Sequence, residues 1–294
     1  MTAGPDSEAS PNAAAPIAYG RVVRLSALVR RITQNNPGLF TGPGTNTHLV
    51  GREELFVLDP GEDRDDGHLE RIVAAVGAAT VHAVIPSHGH EDHWPLAAPL
   101  ARALGAPVWF MGVHDGFRAD RVVRDGDVLV AGDVRLQALH TPGHARDHAS
   151  FVLPQERALF PSDHVMGWST SIIAPPDGDL TQYMRSLERL MALPDLDVLY
   201  PAHGESVTAP YDRMRELHAH RRERSRQALE ALAAGPSAIV PLVTRIYADT
   251  DPRLHPAAAQ SLYAHLLALE TEGRIERVSS PAAAWDEIVW RITA

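Results

Sequence analysis

The stretch VHAVIPSHGHEDH, residues 81–93, decides the reading of this chain. Six apolar-rich residues run straight into Ser87-His88-Gly89-His90-Glu91-Asp92-His93. A short apolar run that empties into a polar cluster reads as a buried strand whose C-terminal end presents side chains to a site. His88 and His90 are two apart, so on extended backbone they point to the same side. Asp92 and His93 follow where the chain turns into a helix predicted over 93–104, and they aim at a second position beside the first. A histidine-rich surface loop is the competing reading. Three further ligand-type stretches downstream, each after its own strand, argue against it.

Those strands are predicted over 134–139, 158–160 and 198–200. They lead into His140-Thr141-Pro142-Gly143-His144, Pro161-Ser162-Asp163 and Pro201-Ala202-His203-Gly204. Strand ends on one edge of a sheet converge in space, so His144, Asp163 and His203 join the first cluster. The chain has no Cys, which removes thiolate ligands and disulfides. Five His and two Asp remain, the donors a hydrolytic Zn²⁺ takes without thiolate. Seven are too many for one open tetrahedral site. They suit two metals about 3.5–4 Å apart sharing one carboxylate, with a bridging hydroxide as nucleophile. Two Zn²⁺ are expected, with Mn²⁺ or Fe as substitutes.

Outward from this centre, the pattern is layered α/β. Strands are predicted over 22–25, 47–50, 55–58 and 108–111, and a helix over 66–78. Short strands at 128–130, 134–139, 149–153 and 158–160 form an antiparallel meander. Helices follow over 180–193 and 211–233, ended by Gly235-Pro236. Helices over 240–247 and 256–272, with strands at 275–278 and 288–292, make the pattern of a winged helix. The expected domains are a disordered tail at 1–18, a catalytic domain at 19–234 and a winged-helix-like domain at 235–294.

His88-x-His90-x-Asp92-His93 with His144, Asp163 and His203 resembles the metallo-β-lactamase fold superfamily. The resemblance implies a four-layer αββα sandwich with the site at one edge. It also implies one metal on His88, His90 and His144, a second on Asp92, His93 and His203, and Asp163 bridging both. Asn36-Pro37-Gly38, Gly44-Thr45-Asn46-Thr47 and the stretch 254–275 narrow the similarity to the β-lactamase-like protein 2 group, with its winged-helix tail. The characterised animal member of that group is an endoribonuclease on single-stranded RNA. The resemblance therefore implies a binuclear zinc-dependent phosphodiesterase. The alternative is a hydrolase of thioesters, lactones or other small acyl substrates, with weak β-lactamase activity as a side reaction.

Asp92 is the candidate catalytic residue, through metal binding and proton transfer to the leaving group. Asn46, Trp94, Trp168, Ser169 and Tyr183 are candidate substrate contacts. Asp59 reads as a carboxylate that ties down its loop by accepting backbone N–H bonds. His140 and His148 flank a ligand, as orienting partners or as core histidines, and His218 and His220 read as a solvated helix face. From Asp212 to Arg226 six Arg stand against three acids; residues 236–294 carry five Arg against seven acids. With a formal charge of −10, the tail reads as a packing or homodimerisation module rather than a nucleic-acid reader. No apolar run reaches the ~18 residues of a membrane helix. The first residues lack the pattern of a secretion signal, so a cytoplasmic protein is expected.

Overall fold

The computed structural model describes residues 17–64, 67–112, 116, 118–279 and 283–293. The predicted disordered tail lies almost entirely outside them. In the first sheet β1 (Val22–Arg24), β2 (Val29–Thr33), β3 (Asn46–Gly51) and β4 (Glu54–Leu58) run antiparallel in chain order. After helix α1 (His68–Val76), β5 (Thr80–Ile85) joins β4 in parallel. Helix α2 (Ala97–Leu104) and a two-stranded parallel pair, β6 (Trp109–Phe110) and β7 (Arg121–Val122), lead to the second sheet. There β8 (Val128–Ala131), β9 (Val134–His140), β10 (Ala149–Leu153) and β11 (Ala158–Ser162) form the predicted meander. After α3 (Leu180–Met191), β12 (Val198–Pro201) pairs with β11 in parallel.

The near-continuous apolar runs of β4 and β5 are explained by burial on both faces. Phe56, Leu58 and Ile85 face the second sheet, against Leu136, Phe151 and Phe160. Their neighbours Leu55, Val57 and Val84 face Ile72 of α1 and Leu100 of α2. The period of two along each strand thus feeds two cores. On the far side Leu139, Leu159 and Leu199 pack against Tyr183 and Leu187 of α3 and Met214 of α4 (Pro210–Ala233). The result is the expected sequence of layers: helices, sheet, sheet, helices.

Beyond α4 come β13 (Ser237–Ala238), α5 (Ile239–Ile246), α6 (His255–Thr271), β14 (Ile275–Arg277) and β15 (Val289–Ile292). The strands form one small antiparallel sheet in the order β13-β15-β14. Leu262 and Leu266 of α6 meet Leu242 and Trp290 in a separate core. The last turns of α4 enter that core through Ala228, Ala231 and Leu232.

Two sequence expectations are corrected. Strand β2 is absent from the sequence reading because Arg30 and Arg31 interrupt its apolar pattern. Arg31 is nevertheless buried, its guanidinium paired with both oxygens of Glu205 at 2.7 and 3.2 Å. Helix α2 starts at Ala97, not at His93. Pro95 disfavours helical backbone at Trp94, so residues 91–95 form a turn before the helix.

Candidate metal centre and cavity

Four chain segments meet at one edge of the sandwich. The loop after β5 carries His88, His90, Asp92 and His93. Beyond β9, β11 and β12 come His144, Asp163 and His203. The start of β3 closes the same edge: Asn46 N–H donates to the Ala202 carbonyl at 2.7 Å, and Thr45 bridges to His203.

The seven residues form overlapping clusters of possible metal donors: His88, His90 and His144; Asp92, His93 and His203; and His88, His93 and Asp163. His90 Nδ1 lies 2.9 Å from His88 Nε2 and 3.0 Å from His144 Nε2. Asp92 Oδ2 lies 3.3 Å from His93 Nε2 and 3.1 Å from His203 Nε2. Asp163 spans both groups. Its Oδ2 is 3.4 Å from His144 Nε2, and its Oδ1 is 3.2 Å from His203 Nε2 and 3.5 Å from His93 Nε2. Donors around an ion with bonds of ~2.0–2.1 Å stand roughly this far apart along a tetrahedral edge.

The opposite ring nitrogens are held by the protein. His88 Nδ1 meets Ser87 Oγ at 3.0 Å, His144 Nδ1 the Ile172 carbonyl at 2.6 Å, and His203 Nδ1 the Gly44 carbonyl at 3.1 Å. His93 Nδ1 lies 3.3 Å from Asp59 Oδ1. Such partners fix which nitrogen is free to bind a cation. Thr45 Oγ1 donates to Asp92 Oδ2 at 3.4 Å, and Asp177 Oδ2 stands 3.8 Å from His90 Nε2.

The electrostatics fit a cation. Burial, reinforced by neighbouring imidazoles, holds His88 well below its usual pKa and pulls His144 down to about 4, so both are neutral donors. Asp92 and Asp163 are held well below the carboxylate range: burial opposes their charge, but the facing His93 and His203 outweigh it. Burial likewise opposes charge on His203, yet Asp163 and Asp92 push it up to about 10. Two ionised carboxylates thus draw protons onto facing imidazoles, a charge that a divalent cation supplies instead. His93 Nε2 and Asp163 Oδ1 are buried without a hydrogen bond, as metal donors would be. The His/Asp clusters are consistent with a binuclear metal site.

The site opens into a cavity of about 740 Å³, a size common for small-molecule sites. Trp168 and Ser169 line it, as do Phe40 and Met166. The C-terminal region contributes further lining, through Tyr247, Leu254 and Ala257. Three expected substrate contacts are not among the lining residues. Asn46 is buried and donates from Nδ2 to the Pro201 and Gly204 carbonyls at 3.0 and 2.8 Å, so it clamps the sheet edge. Tyr183 is wholly buried, stacked on His164 at 4.2 Å with its hydroxyl on the His164 carbonyl. Trp94 sits in the turn before α2 and does not line the cavity.

His148 lies behind His88, ring to ring at 5.1 Å, and is held by Thr141 Oγ1 at 2.8 Å. His140 is tied to the Arg146 carbonyl instead. His220, read from sequence as solvated, lines the cavity; a helix face cannot be assigned to solvent or cleft from spacing alone. Sequence reasoning also missed Asp177, whose only signal was a Pro-Pro-Asp-Gly turn after Trp168.

Comparison with known proteins agrees with this architecture. The Metallo-beta-lactamase superfamily pattern matches residues 40–203, and the Beta-lactamase associated winged helix domain matches 239–285. The chain belongs to the metallo-beta-lactamase superfamily, as a metal-dependent hydrolase with a C-terminal winged-helix region. Among its relatives, the Beta-lactamase-like protein 2 homolog of Caenorhabditis elegans is 28% identical, over 90% of this chain and 91% of that one. The Atrochrysone carboxyl ACP thioesterase of Aspergillus chevalieri is 34% identical, over 72% of this chain and 68% of that one. The crystal structure of a Beta-lactamase domain protein from Burkholderia ambifaria superposes with a TM-score of 0.81 at 20% identity, covering 96% of each chain, and shows the shared fold.

Proposed function

We propose that this protein hydrolyses small acyl thioesters, with two Zn²⁺ held by the seven His and Asp side chains. The observation that carries this reading is the cavity. His90, Asp92, His144 and Asp163 line it, and its walls are largely apolar, through Phe40, Met166, Trp168, Leu254 and Ala257. Such a trough suits an acyl chain with its carbonyl at the clusters. A relative named as a thioesterase supports the same reading, and so the alternative drawn from sequence is better supported than single-stranded RNA.

His88, His90 and His144 would hold one ion, Asp92, His93 and His203 the other, with Asp163 between them. When bound, such a pair polarises the carbonyl and lowers the pKa of water towards neutrality. The residues themselves orient and carry protons. Asp92 Oδ2 faces His93 and His203, while Oδ1 has no hydrogen bond among the described residues. Asp92 also lines the cavity. Its carboxylate is therefore placed to take the proton of the attacking water and return it to the departing sulfur as the C–S bond breaks. Thr45 and the His203–Gly44 contact keep that carboxylate in register.

The test sets zinc-supplemented protein against acyl thioesters, lactones and a labelled single-stranded RNA, with Asp163→Asn as control. Thioester turnover is expected, with about two metal ions per chain by elemental analysis. The variant should lose about 100-fold in rate or more. RNA cleavage with no acyl turnover overturns the reading.

A further inference from the structure

Helix α4 carries six Arg within Pro210–Ala233. Three are neutralised on the helix itself: Arg213 by Glu216, Arg215 by Asp212, and Arg226 by Glu223 and Glu230. Arg222 is exposed. Arg221 and Arg224 both line the cavity, and among the described residues neither has a carboxylate partner. Arg221 is only 3% exposed. Its Nη2 donates to the Ser171 carbonyl, its guanidinium sits 5.1 Å from the Tyr183 ring centre, and its buried Nε has no partner. Arg224 places Nη1 on the Ile246 carbonyl at 3.0 Å and on Gln227 at 2.9 Å. It lies over Tyr247 at 4.4 Å, and its Nε is likewise buried and unpartnered. His220 adds a third unpartnered buried nitrogen, Nδ1, on the same cavity wall.

Positions 220, 221 and 224 fall on one helix face, since neighbours three and four apart are adjacent. A buried guanidinium without a counter-charge is costly. This fold supplies one where an arginine is structural: Arg31, equally buried, is held by both oxygens of Glu205. The missing counter-charge at the buried Arg221, with the half-buried Arg224 beside it, is the kind a ligand brings. His220 is pulled down to about 4, by burial and then by Arg221 and Arg224, so it serves as a neutral hydrogen-bonding group beside the two cations.

We infer that Arg221, Arg224 and His220 form an oxyanion subsite that binds a phosphate or carboxylate carried by the acyl thioester. The inference rests on the acyl-thioester reading of the same cavity. Arginine forks match both groups through paired charge-assisted hydrogen bonds. The anion comes from the carrier arm, as the 4′-phosphate of a pantetheine thioester, or from a terminal carboxylate on the acyl chain. An RNA backbone is the poorer fit, because half of the arginines on α4 are already neutralised by their own acids.

The test uses two pairs of substrates that differ by one anionic group. Hexanoyl pantetheine is compared with hexanoyl 4′-phosphopantetheine, and with the pantetheine thioester of adipic acid. The full-length metal-loaded protein should prefer one charged member by at least about tenfold in kcat/KM, the value of one charge-assisted contact. Which pair responds identifies the source of the anion. Arg224→Gln should bring that ratio to about one, and Arg222→Gln should leave it unchanged. Binding of the matching non-hydrolysable thioethers, followed by calorimetry, reads the subsite without turnover. Charge-dependent binding lost in Arg224→Gln, with no thioester turned over, sinks the acyl-hydrolase reading and upholds the subsite. Turnover with no charge preference in either pair, in the unmodified protein, overturns the subsite and upholds the hydrolase reading.

Discussion

Asp59 follows β4 with a left-handed backbone, φ 49°, and its buried carboxylate lies against His93 of the metal centre. One oxygen accepts the Ser87 N–H at 2.7 Å, so it ties down the loop after β5 rather than its own loop as expected from sequence, and the same oxygen stands 3.3 Å from His93 Nδ1. It thus fixes both the end of β5 and the orientation of a buried donor. Asp59→Asn keeps an acceptor for Ser87 but removes the charge beside His93. Metal affinity should fall about 10–100-fold at one of two ions, measured by competition with a chelator; equal titration of both ions would sink this role. A second buried residue acts on stability alone. His48 packs against Phe160 at 5.2 Å, and burial, then Arg31, pulls it down to about 3. Its unfolded form takes up a proton below about 6.5 while the folded form does not, so the contribution of His48 is complete above that pH and declines towards pH 3. Removing the titration with His48→Phe should make the fall in Tm between pH 6.5 and 4.5 shallower, worth about 1–3 kcal/mol at the acid end. Parallel melting curves for the two proteins would contradict it.

Elements deliver the site, and their ends were the most legible part of the sequence. Each apolar run that stopped at His88, His144, Asp163 or His203 is a strand ending at the same edge of the sandwich. What was not legible is where polar side chains find partners. Asn46 and Tyr183 have residue types suited to a substrate, yet backbone carbonyls across the fold satisfy both, contacts separated by 155 and 19 residues. Arg31 concealed β2 in the same way, since its partner Glu205 is 174 residues on. The loop that carries His144 shows how tightly one element end constrains another. Gly143 has φ +133°, and a Cβ there would sit 2.2 Å from the backbone nitrogen of Tyr183 in α3. Its carbonyl accepts the N–H of Asp179 just before that helix, at 2.8 Å. No rotamer relieves a backbone clash, so Gly143→Ala should cost about 2–4 kcal/mol in urea unfolding and lower metal content by displacing His144. Unchanged stability and full metal content would show that α3 yields to the loop.

At the scale of the whole molecule, α4 belongs to both cores: Met214 and Leu217 pack under the second sheet, while Ala228, Ala231 and Leu232 pack in the C-terminal core. One continuous helix therefore sets the C-terminal region over the strand ends. Further ties run from α6: Ser261 Oγ accepts the Ile173 N–H at 3.5 Å, Ser225 meets His265 at 2.8 Å, and Ala264 reaches the core beneath α3. Sequence composition favoured a packing or dimerisation tail over a nucleic-acid reader but could not show that the tail completes a cavity, because the wall is made largely of small and apolar residues that carry no chemistry of their own. If the substrate is the proposed acyl thioester, that wall places chain-length selection in the C-terminal region. Ala257 of α6 lines the cavity and is far in sequence from every proposed donor. A phenylalanine there fills space that a long acyl chain would occupy and leaves the donors untouched. Ala257→Phe should lower the ratio of kcat/KM for dodecanoyl over acetyl thioesters by about tenfold or more, since each methylene excluded from an apolar pocket is worth about 1–3 kcal/mol. The change should fall on KM, with metal content still about two ions per chain. An unaltered ratio would mean that the acyl chain leaves the site along another wall, and that the winged-helix region covers the carrier rather than the acyl group.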